Sequence, residues 1–312
     1  MSASSPPTWM FDVSDRVQIE LTGADRAKFL HNFCTNDIKK LQPGQGCEAF
    51  VTNIKGKIVG HIFVFAEADA LWLESVPGSA ATLIPHLDRF LIREDVQLRE
   101  RSAEFAEFLI VGERSTELLA KWLPGLAEFP LYGHLANSSN ELPIRSARRV
   151  DWLGSPTWLL SVPVADRDRV QQALMQAGCA IGDSNQFHQR RIAAGFPLFG
   201  TDITEDNLAQ EVGRTALAIS FTKGCYLGQE PIARIDAMGH VNRILCRLKL
   251  TSGPAPTRGT EVFDKPPPNG KSIGAITSSV SGAETLCLAY VRSAFAKPDT
   301  AVVVGSAAAA VL

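Results

Sequence analysis

The most specific stretch of this chain lies in its last third and reads Lys223-Gly224-Cys225-Tyr226-Leu227-Gly228-Gln229-Glu230. Glycine beside a cysteine lets the backbone turn sharply or approach a ligand closely. An ammonium two residues before the thiol favours the thiolate, which is the form that attacks, binds metal or is oxidised. The octapeptide therefore predicts a reactive thiol at Cys225 with Lys223 as its activating group. The alternative is a glycine-rich turn whose cysteine packs as a small apolar side chain.

The other side chains of the octapeptide are also candidate site residues. Tyr226 is expected to stack on a ligand, and Gln229 and Glu230 are expected to fix the loop by hydrogen bonds or to contact that ligand. A carboxylate close to a thiol raises the pKa of that thiol, so Glu230 acts against Lys223 if it lies nearer to Cys225. The sequence leaves open which of the two charges is nearer.

Further segments accompany the octapeptide along the chain. They are Leu21-Thr22-Gly23-Ala24-Asp25-Arg26, Thr35-Asn36-Asp37, Thr52-Asn53 followed by Lys55-Gly56-Lys57, and residues 191–197, 273–278 and 288–292. Together with the octapeptide they resemble the YgfZ family of folate-binding proteins, which is related to the glycine-cleavage T-protein, an aminomethyltransferase. The resemblance spans nearly the whole chain, and the octapeptide is its most specific part.

The resemblance implies an α+β fold. It implies a T-protein-like folate-binding body of two intertwined lobes over residues 1–240, followed by a C-terminal antiparallel β-barrel over residues 241–312. It also implies tetrahydrofolate or a derivative as the cofactor. The implied role is in assembling or repairing iron–sulfur enzymes, including those that modify tRNA, with iron–sulfur client or assembly proteins as partners.

Two departures from the T-protein pattern bear on catalysis. T-proteins carry an aspartate where this chain has Gly60 and His61, and a pterin-binding glutamate where this chain has Ala193. A carboxylate suits the pterin because paired, charge-assisted hydrogen bonds match the amino and imino donors of the ring. Aminomethyl transfer as T-protein performs it is therefore not expected, although the fold persists without that chemistry. Whether the chain is an enzyme stays open.

A folate site needs an apolar slot for the ring and basic groups for the anionic glutamate tail. The arginines near the octapeptide are candidates for the tail, and the alternative is that they lie on solvated faces. Polar residues of the amino-terminal blocks are candidates for contacts around the ring, and turn or cap formation is their alternative. The candidates are Arg191, Arg214 and Arg234 for the tail, and Asn36, Asp37, Thr52 and Asn53 for the ring.

Composition bounds the class of protein. The chain has 312 residues and a formal net charge of −2, which argues against a general nucleic-acid-binding surface. No apolar run approaches the roughly 20 residues of a spanning helix. The first eleven residues lack the features of a secretion signal, so a cytoplasmic protein is expected. The six cysteines form no Cys-x-x-Cys pair and no metal site is predicted, so any iron–sulfur clusters would be held by other proteins.

Hydrophobic periodicity predicts the elements. Strands are predicted at 16–22, 48–52, 57–66, 70–75, 96–101, 105–111 and 152–162, and helices at 79–92, 115–123, 167–177 and 185–194. Residues 124–143 are predicted to be surface loop. From residue 243 onward the strands are short and separated by Gly, Pro and Ser turns, which predicts a small barrel with strands at 243–250, 272–280, 285–291 and 301–304.

The resulting hypothesis is a tetrahydrofolate-binding accessory protein for iron–sulfur enzymes, in which bound folate and the Cys225 thiol act side by side. Two alternatives stay open. One is a folate-dependent one-carbon transferase that uses Asp37 or Glu230 as its acid–base group. The other is a non-catalytic, folate-sensing scaffold in which Cys225 is dispensable. The sequence does not distinguish the folate form, the client enzymes, the oligomeric state or a covalent intermediate on Cys225.

Overall fold

The computed structural model describes residues 7–136, 141–154 and 156–312. The chain divides into two compact units. Unit 1 comprises residues 1–51, 60–183 and 222–226, and unit 2 comprises residues 52–59, 184–221 and 227–312. The octapeptide therefore contributes Lys223 to Tyr226 to unit 1 and Leu227 to Glu230 to unit 2. The predicted division at residues 240 and 241 stays a prediction.

The strands of the described residues are β1 (Thr8–Asp12), β2 (Val17–Thr22), β3 (Gly46–Thr52), β4 (Ile58–Ala66), β5 (Ala70–Ser75), β6 (Gln97–Glu100), β7 (Phe105–Val111), β8 (His134–Ala136), β9 (Ser146–Val150), β10 (Thr157–Pro163), β11 (Cys179–Ile181), β12 (Arg243–Leu250), β13 (Glu261–Phe263), β14 (Ser272–Val280), β15 (Thr285–Arg292), β16 (Ala301–Val304) and β17 (Ala307–Val311). The α-helices are α1 (Arg26–His31), α2 (Ala80–Asp88), α3 (Ser115–Ala120), α4 (Arg167–Gln176), α5 (Ser184–Ala194), α6 (Thr215–Ala218) and α7 (Gln229–Met238). In the described ranges every helix is too short or too polar to cross a bilayer.

Unit 1 is built on two β-sheets. One is mixed and has the strand order β11-β1-β7-β10-β9-β8, with β11 parallel to β1. The other has the order β3-β4-β5-β2-β6, in which β4 and β5, β5 and β2, and β2 and β6 pair antiparallel. Strands β4 and β5 are buried along their whole length, which explains why their sequences are nearly continuous apolar runs. A core of large side chains, including Trp158, Phe108 and Leu160, packs on the first sheet.

A buried ion cluster lies in the interior of unit 1. Arg148 of β9 pairs with Glu74 of β5 and lies 3.4 Å from a Glu107 carboxylate oxygen on β7. All three side chains are almost fully buried. Burial and the neighbouring Glu74 carboxylate raise the pKa of Glu107 well above its usual value. These charges join strands of both sheets, since β5 belongs to one and β7 and β9 to the other.

Unit 2 contains the barrel. Its strands close in the order β12-β15-β14-β13-β16-β17, and each neighbouring pair is antiparallel. Small and branched side chains such as Val262, Ala289 and Val302 fill the interior. Helix α5 packs on the outside, where Ile192 contacts Val280 and Leu288. The predicted α+β fold with a carboxy-terminal antiparallel barrel is confirmed.

Several predicted elements differ from the observed ones. The predicted helix at 79–92 ends at Asp88, the predicted strand at 152–162 is β10 from Thr157, and the strand β8 lies in the predicted loop at 124–143. Residues 137–140 of that loop and residue 155 of that strand lie outside the described residues. The strands that the sequence missed are mostly short, and such strands depend on their neighbours more than on their own periodicity.

Candidate functional site

The site begins with the thiol of the octapeptide. All six cysteines lie in the described ranges and are free, and Cys225 is the exposed one. Burial raises the pKa of the other thiols, to about 11 for Cys179 and Cys246 and to about 12 for Cys287, with Cys34 and Cys47 also shifted upward. Those five are protonated at neutral pH and poor nucleophiles. Among the cysteines, Cys225 is the exposed thiol.

The Lys223 ammonium is held by three backbone carbonyls of unit 1. It donates to the oxygens of His31 at 2.5 Å, Cys34 at 2.7 Å and Asn36 at 2.8 Å. A lysine has three N–H donors, so none is left for the Cys225 thiol. Burial lowers the pKa of Lys223, and the charge of Asp37 acts in the opposite direction. Lys223 therefore fixes the start of the loop.

Tyr226 follows the exposed thiol and turns into unit 1. It is 8% exposed, and the Lys223 ammonium lies 4.7 Å from the centre of its ring. Burial raises the pKa of the Tyr226 phenol above its ordinary value. The two flanking side chains are thus anchored inward by a cation–π contact while Gly224 and Cys225 stay exposed. This arrangement presents the thiol on a fixed loop.

The polar residues of the first blocks support the same half of the loop. Asn36 donates from its amide nitrogen to the Glu48 carbonyl at 2.8 Å, and its side-chain oxygen accepts from the Asp37 amide. Asp37 pairs with His31 at 3.2 Å and with Lys40 at 3.0 Å. Burial raises the pKa of the Asp37 carboxyl, but the Lys40 and His31 partners outweigh burial and lower it. Both residues shape the chain segment whose carbonyls hold Lys223.

The second half of the octapeptide is fixed within unit 2. The Thr52 hydroxyl donates to the Leu227 carbonyl at 2.6 Å. Gly228 has a φ of +81°, and a Cβ at this position would lie 2.3 Å from the Asn53 carbonyl oxygen. Asn53 forms an Asx turn, because its side-chain oxygen accepts from the amides of Lys55 and Lys57. Glycine is required at position 228 for both reasons, conformation and space.

Helix α7 starts at Gln229, directly after Gly228, so the octapeptide ends as a helix and not as a loop. Glu230 lies in the first turn, where a carboxylate is favourable near the amino-terminal end of the helix dipole. Its side chain is exposed and pairs with Arg234 one turn later, at 3.2 Å. Pro231 is accommodated because the first turn of a helix needs no amide donor at that position.

Arg191 requires a correction. It is 2% exposed, and its guanidinium donates to His188, Asp202 and Ser278 within unit 2. Its donors are committed to protein acceptors, so it ties α5 to β14 and is not available to a folate tail. Arg214 is partly exposed, with its guanidinium 5.4 Å from the centre of the Phe196 ring.

The sequence analysis missed a buried hydrogen-bonded chain in unit 1. His61 lies 2.7 Å from one Glu48 carboxylate oxygen, and the Tyr132 hydroxyl donates to the other at 2.8 Å. All three side chains are buried. Gly60 and His61 are the positions that the resemblance matches to the T-protein aspartate, and the missing signal was the partner Glu48, which belongs to none of the resembling segments. These three hydrogen-bonded side chains are shielded from solvent, and the bond between His61 and Glu48 links strands β4 and β3.

The geometry offers an exposed thiol on a fixed loop, with exposed charges on the following helix. Among the described residues, no group of three or more His, Cys, Asp or Glu side chains is arranged to hold a metal ion. An exposed thiol on a rigid loop suits attack on, or transfer of, a soft atom such as sulfur.

The comparisons with known proteins agree with this architecture. A protein from Arabidopsis thaliana chloroplasts that carries a transferase name is 27% identical over 94% of this chain and 67% of its own length. A tRNA-modifying protein YgfZ from Escherichia coli is 27% identical over 88% of this chain and 82% of its own length.

The fold is shared with a solved structure. The glycine cleavage system aminomethyltransferase T from Bartonella henselae matches 98% of this chain and 85% of its own, with a TM-score of 0.86 and 20% identity. The sequence pattern of the GCVT N-terminal domain matches residues 7–223. The chain therefore belongs to the family of the GCVT N-terminal domain, and it is of the YgfZ type within that aminomethyltransferase-like family.

Proposed function

We propose that this protein binds tetrahydrofolate or a derivative and uses the Cys225 thiol to support the assembly or repair of iron–sulfur enzymes. The observation that carries the proposal is the single exposed thiol of the chain, held between Lys223, Tyr226 and Gly228. The family membership supports the folate part, because the matched family and fold are those of a folate-dependent aminomethyltransferase.

The residues proposed for direct folate contacts are polar or charged side chains near the octapeptide that are partly or fully exposed. Gln229, Glu230 and Arg234 on α7 and Arg214 in the preceding segment are partly or fully exposed. Asn36, Asp37, Thr52, Asn53 and Tyr226 are proposed to act on the ligand mainly through the backbone that they hold in place. Partner iron–sulfur proteins would approach the exposed thiol.

The test is complementation of cells that lack this gene, under oxidative stress, with the activity of an iron–sulfur enzyme as the readout. Wild type should restore that activity, and Cys225→Ala should not. Because Cys225 is exposed, Cys225→Ala should change the Tm by no more than about 1 °C, since surface substitutions cost within about 0.5 kcal/mol. Cys246→Ala, a half-buried cysteine outside the octapeptide, is the matched control and should complement.

The outcomes separate the alternatives. Equal rescue by wild type and Cys225→Ala would favour the folate-sensing scaffold. Folate-dependent turnover of an aminomethyl or methyl donor, lost in Asp37→Asn or Glu230→Gln, would favour the one-carbon transferase. A large fall in the Tm of Cys225→Ala would make the cysteine structural.

A further inference from the structure

A second candidate site lies wholly within unit 2, away from any residue of the octapeptide. It is a cavity of about 480 Å³ between the segment around Thr204 and strands β14 and β15 of the barrel. Its wall carries three guanidinium groups, those of Arg243, Arg258 and Arg292. The rest of the wall combines hydroxyl side chains such as Thr204 and Ser272 with apolar residues such as Ile273 and Ala275. The size is that of a small-molecule site, and the three guanidinium groups favour an anionic ligand.

Two of the three arginines lie opposite each other on neighbouring strands. Arg243 on β12 and Arg292 on β15 are directly opposite in the antiparallel ladder. Like charges directly opposite on neighbouring strands are destabilising. Arg243 is partly neutralised, because it donates to both carboxylate oxygens of Glu211 at 3.1 and 3.2 Å. Within the described residues, Arg258 and Arg292 form no ion pair.

The buried Asp202 carboxylate of the cavity wall does not neutralise Arg258 or Arg292. Both oxygens of Asp202 are occupied, one by Arg191 at 2.9 Å and the other by the hydroxyls of Thr277 and Ser278 at 2.5 and 2.6 Å. Its charge is thus compensated by the buried Arg191 guanidinium. Asp206, the other carboxylate among the lining residues, is exposed to solvent.

Tyr290 adds an unsatisfied donor to the same wall. It is 7% exposed and precedes Arg292 by two residues on β15, so both side chains project from the same face of the strand. Its hydroxyl makes no hydrogen bond to any described residue. A buried hydroxyl without a partner destabilises a fold unless a ligand or water satisfies it. The Arg243 guanidinium lies 5.1 Å from the centre of the Tyr290 ring.

We propose that this cavity binds a small polyanion through phosphate or carboxylate groups. Arg258 and Arg292 would provide the charge, and the Tyr290 hydroxyl would donate the oriented hydrogen bond. Guanidinium groups suit this task because their planar donors match the oxygens of phosphate and carboxylate. The proposal does not depend on the folate site, since none of these residues belongs to the octapeptide.

The test is calorimetric titration of the full chain at low ionic strength with pyrophosphate and, separately, with citrate. Binding of either anion is expected, and the two arms distinguish a phosphate ligand from a carboxylate ligand. Arg292→Gln and Arg258→Gln should each weaken that binding roughly tenfold, the effect of removing one charge-assisted hydrogen bond. Tyr290→Phe should weaken it by a smaller factor. Lys297→Gln, which removes an exposed positive charge elsewhere in unit 2, should bind as wild type does.

A thermal scan separates loss of binding from loss of fold. Arg292→Gln relieves the repulsion with Arg243, so the Tm of the free variant should equal or exceed that of the free wild type, while the rise in Tm caused by the anion disappears. The proposal is overturned if wild type binds neither anion. It is also overturned if Arg292→Gln and Arg258→Gln bind as wild type does, or if Lys297→Gln weakens binding equally.

Discussion

Neighbouring residues of the octapeptide have opposite surroundings. The side chains of Lys223 and Tyr226 are buried in unit 1, whereas Gly224 and Cys225 between them are exposed. A buried ammonium is tolerated here because three carbonyls replace its water shell. The exposed thiol is therefore carried by an ordered loop. Because the loop is already ordered, less conformational entropy is lost when a reacting partner binds.

A pH effect is predicted at His134 of β8. Burial, followed by the charges of Arg148 and Arg145, lowers the pKa of His134 to about 3. The unfolded value is about 6.5, so between pH 6.5 and 3 the unfolded chain binds a proton that the folded chain does not. Stability is therefore complete above pH 6.5 and falls as the pH falls, by about 2 kcal/mol from this group at pH 5.

The measurement is the urea-derived free energy of unfolding at pH 7.5 and pH 5.0. His134→Leu keeps an apolar contact with Phe65, which now packs edge-on against the imidazole. The variant should lose about 2 kcal/mol less than wild type between the two pH values. An equal loss in both proteins would contradict the assignment.

The roles of single residues were only partly predictable. The exposed cysteine follows from its glycine neighbours, which are local. The partners of Lys223 do not, because their carbonyls come from residues 187 to 192 positions earlier in the chain. The commitment of Arg191 to Asp202 and Ser278 was likewise invisible, since a buried and a solvated arginine have the same local sequence signal.

At the scale of elements, the junction between Gly228 and α7 makes a testable difference. Gly228→Ala combines a left-handed backbone with a clash against the Asn53 carbonyl, whereas Gly239→Ala at the other end of α7 has a similar φ of +75° with open space around it. Gly239→Ala should cost about 1 kcal/mol from backbone strain alone. Gly228→Ala should cost at least about twice as much, because a backbone carbonyl cannot move aside cheaply.

Chemical unfolding of both variants checks this expectation. Complementation adds a second readout. Gly228→Ala should displace the loop that carries Cys225 and so lower the restored activity of the iron–sulfur enzyme, while Gly239→Ala should leave that activity unchanged. Equal destabilisation by the two substitutions would mean that the turn at Asn53 gives way to the added methyl group.

Elements with strong periodicity were predicted well. Strands β7, β12, β14 and β16 have the predicted bounds. Helix α7 was missed, because its first residues belong to an octapeptide rich in glycine and its start depends on a left-handed residue at position 228. The position of that start is set by the Thr52 and Asn53 turn, which is distant in sequence.

At the scale of the whole molecule, closure of the barrel depends on β17. Ala309 is 4% exposed and lies opposite Leu250 on β12 and Val302 on β16, so its strand is hydrogen-bonded on both sides. Ala309→Pro removes an amide donor and restricts the backbone in a central strand. We expect a loss of about 2 kcal/mol or more in the free energy of unfolding.

The matched control is Ala283→Pro in the exposed turn between β14 and β15, where the same exchange should cost less than about 1 kcal/mol. Circular dichroism during thermal unfolding measures both. If Ala309→Pro unfolds at the wild-type temperature, the barrel does not need β17 for its stability.

The fold class and the carboxy-terminal barrel were predictable, because strand periodicity and the recognised blocks extend over most of the chain. The resemblance implied intertwined lobes within residues 1–240, but it did not say which segments interleave, and residues 52–59 join a unit whose other parts begin at residue 184. The local sequence of residues 52–59 contains no signal for contacts with a segment so distant in the chain. The cavity beside Arg292 was hidden for the same reason, because its arginines come from three separate elements.

The three carbonyl oxygens around Lys223 have a consequence for how the protein responds to dissolved ions. Three converging carbonyl oxygens resemble the oxygen cages that proteins use for monovalent cations, but here the cation is attached to the chain. We therefore expect the geometry of the loop not to depend on the potassium or sodium concentration. We also expect burial to protect this lysine from enzymatic acetylation, which would remove its charge. The loop that carries Cys225 is thus held by a cation that cannot dissociate into the medium.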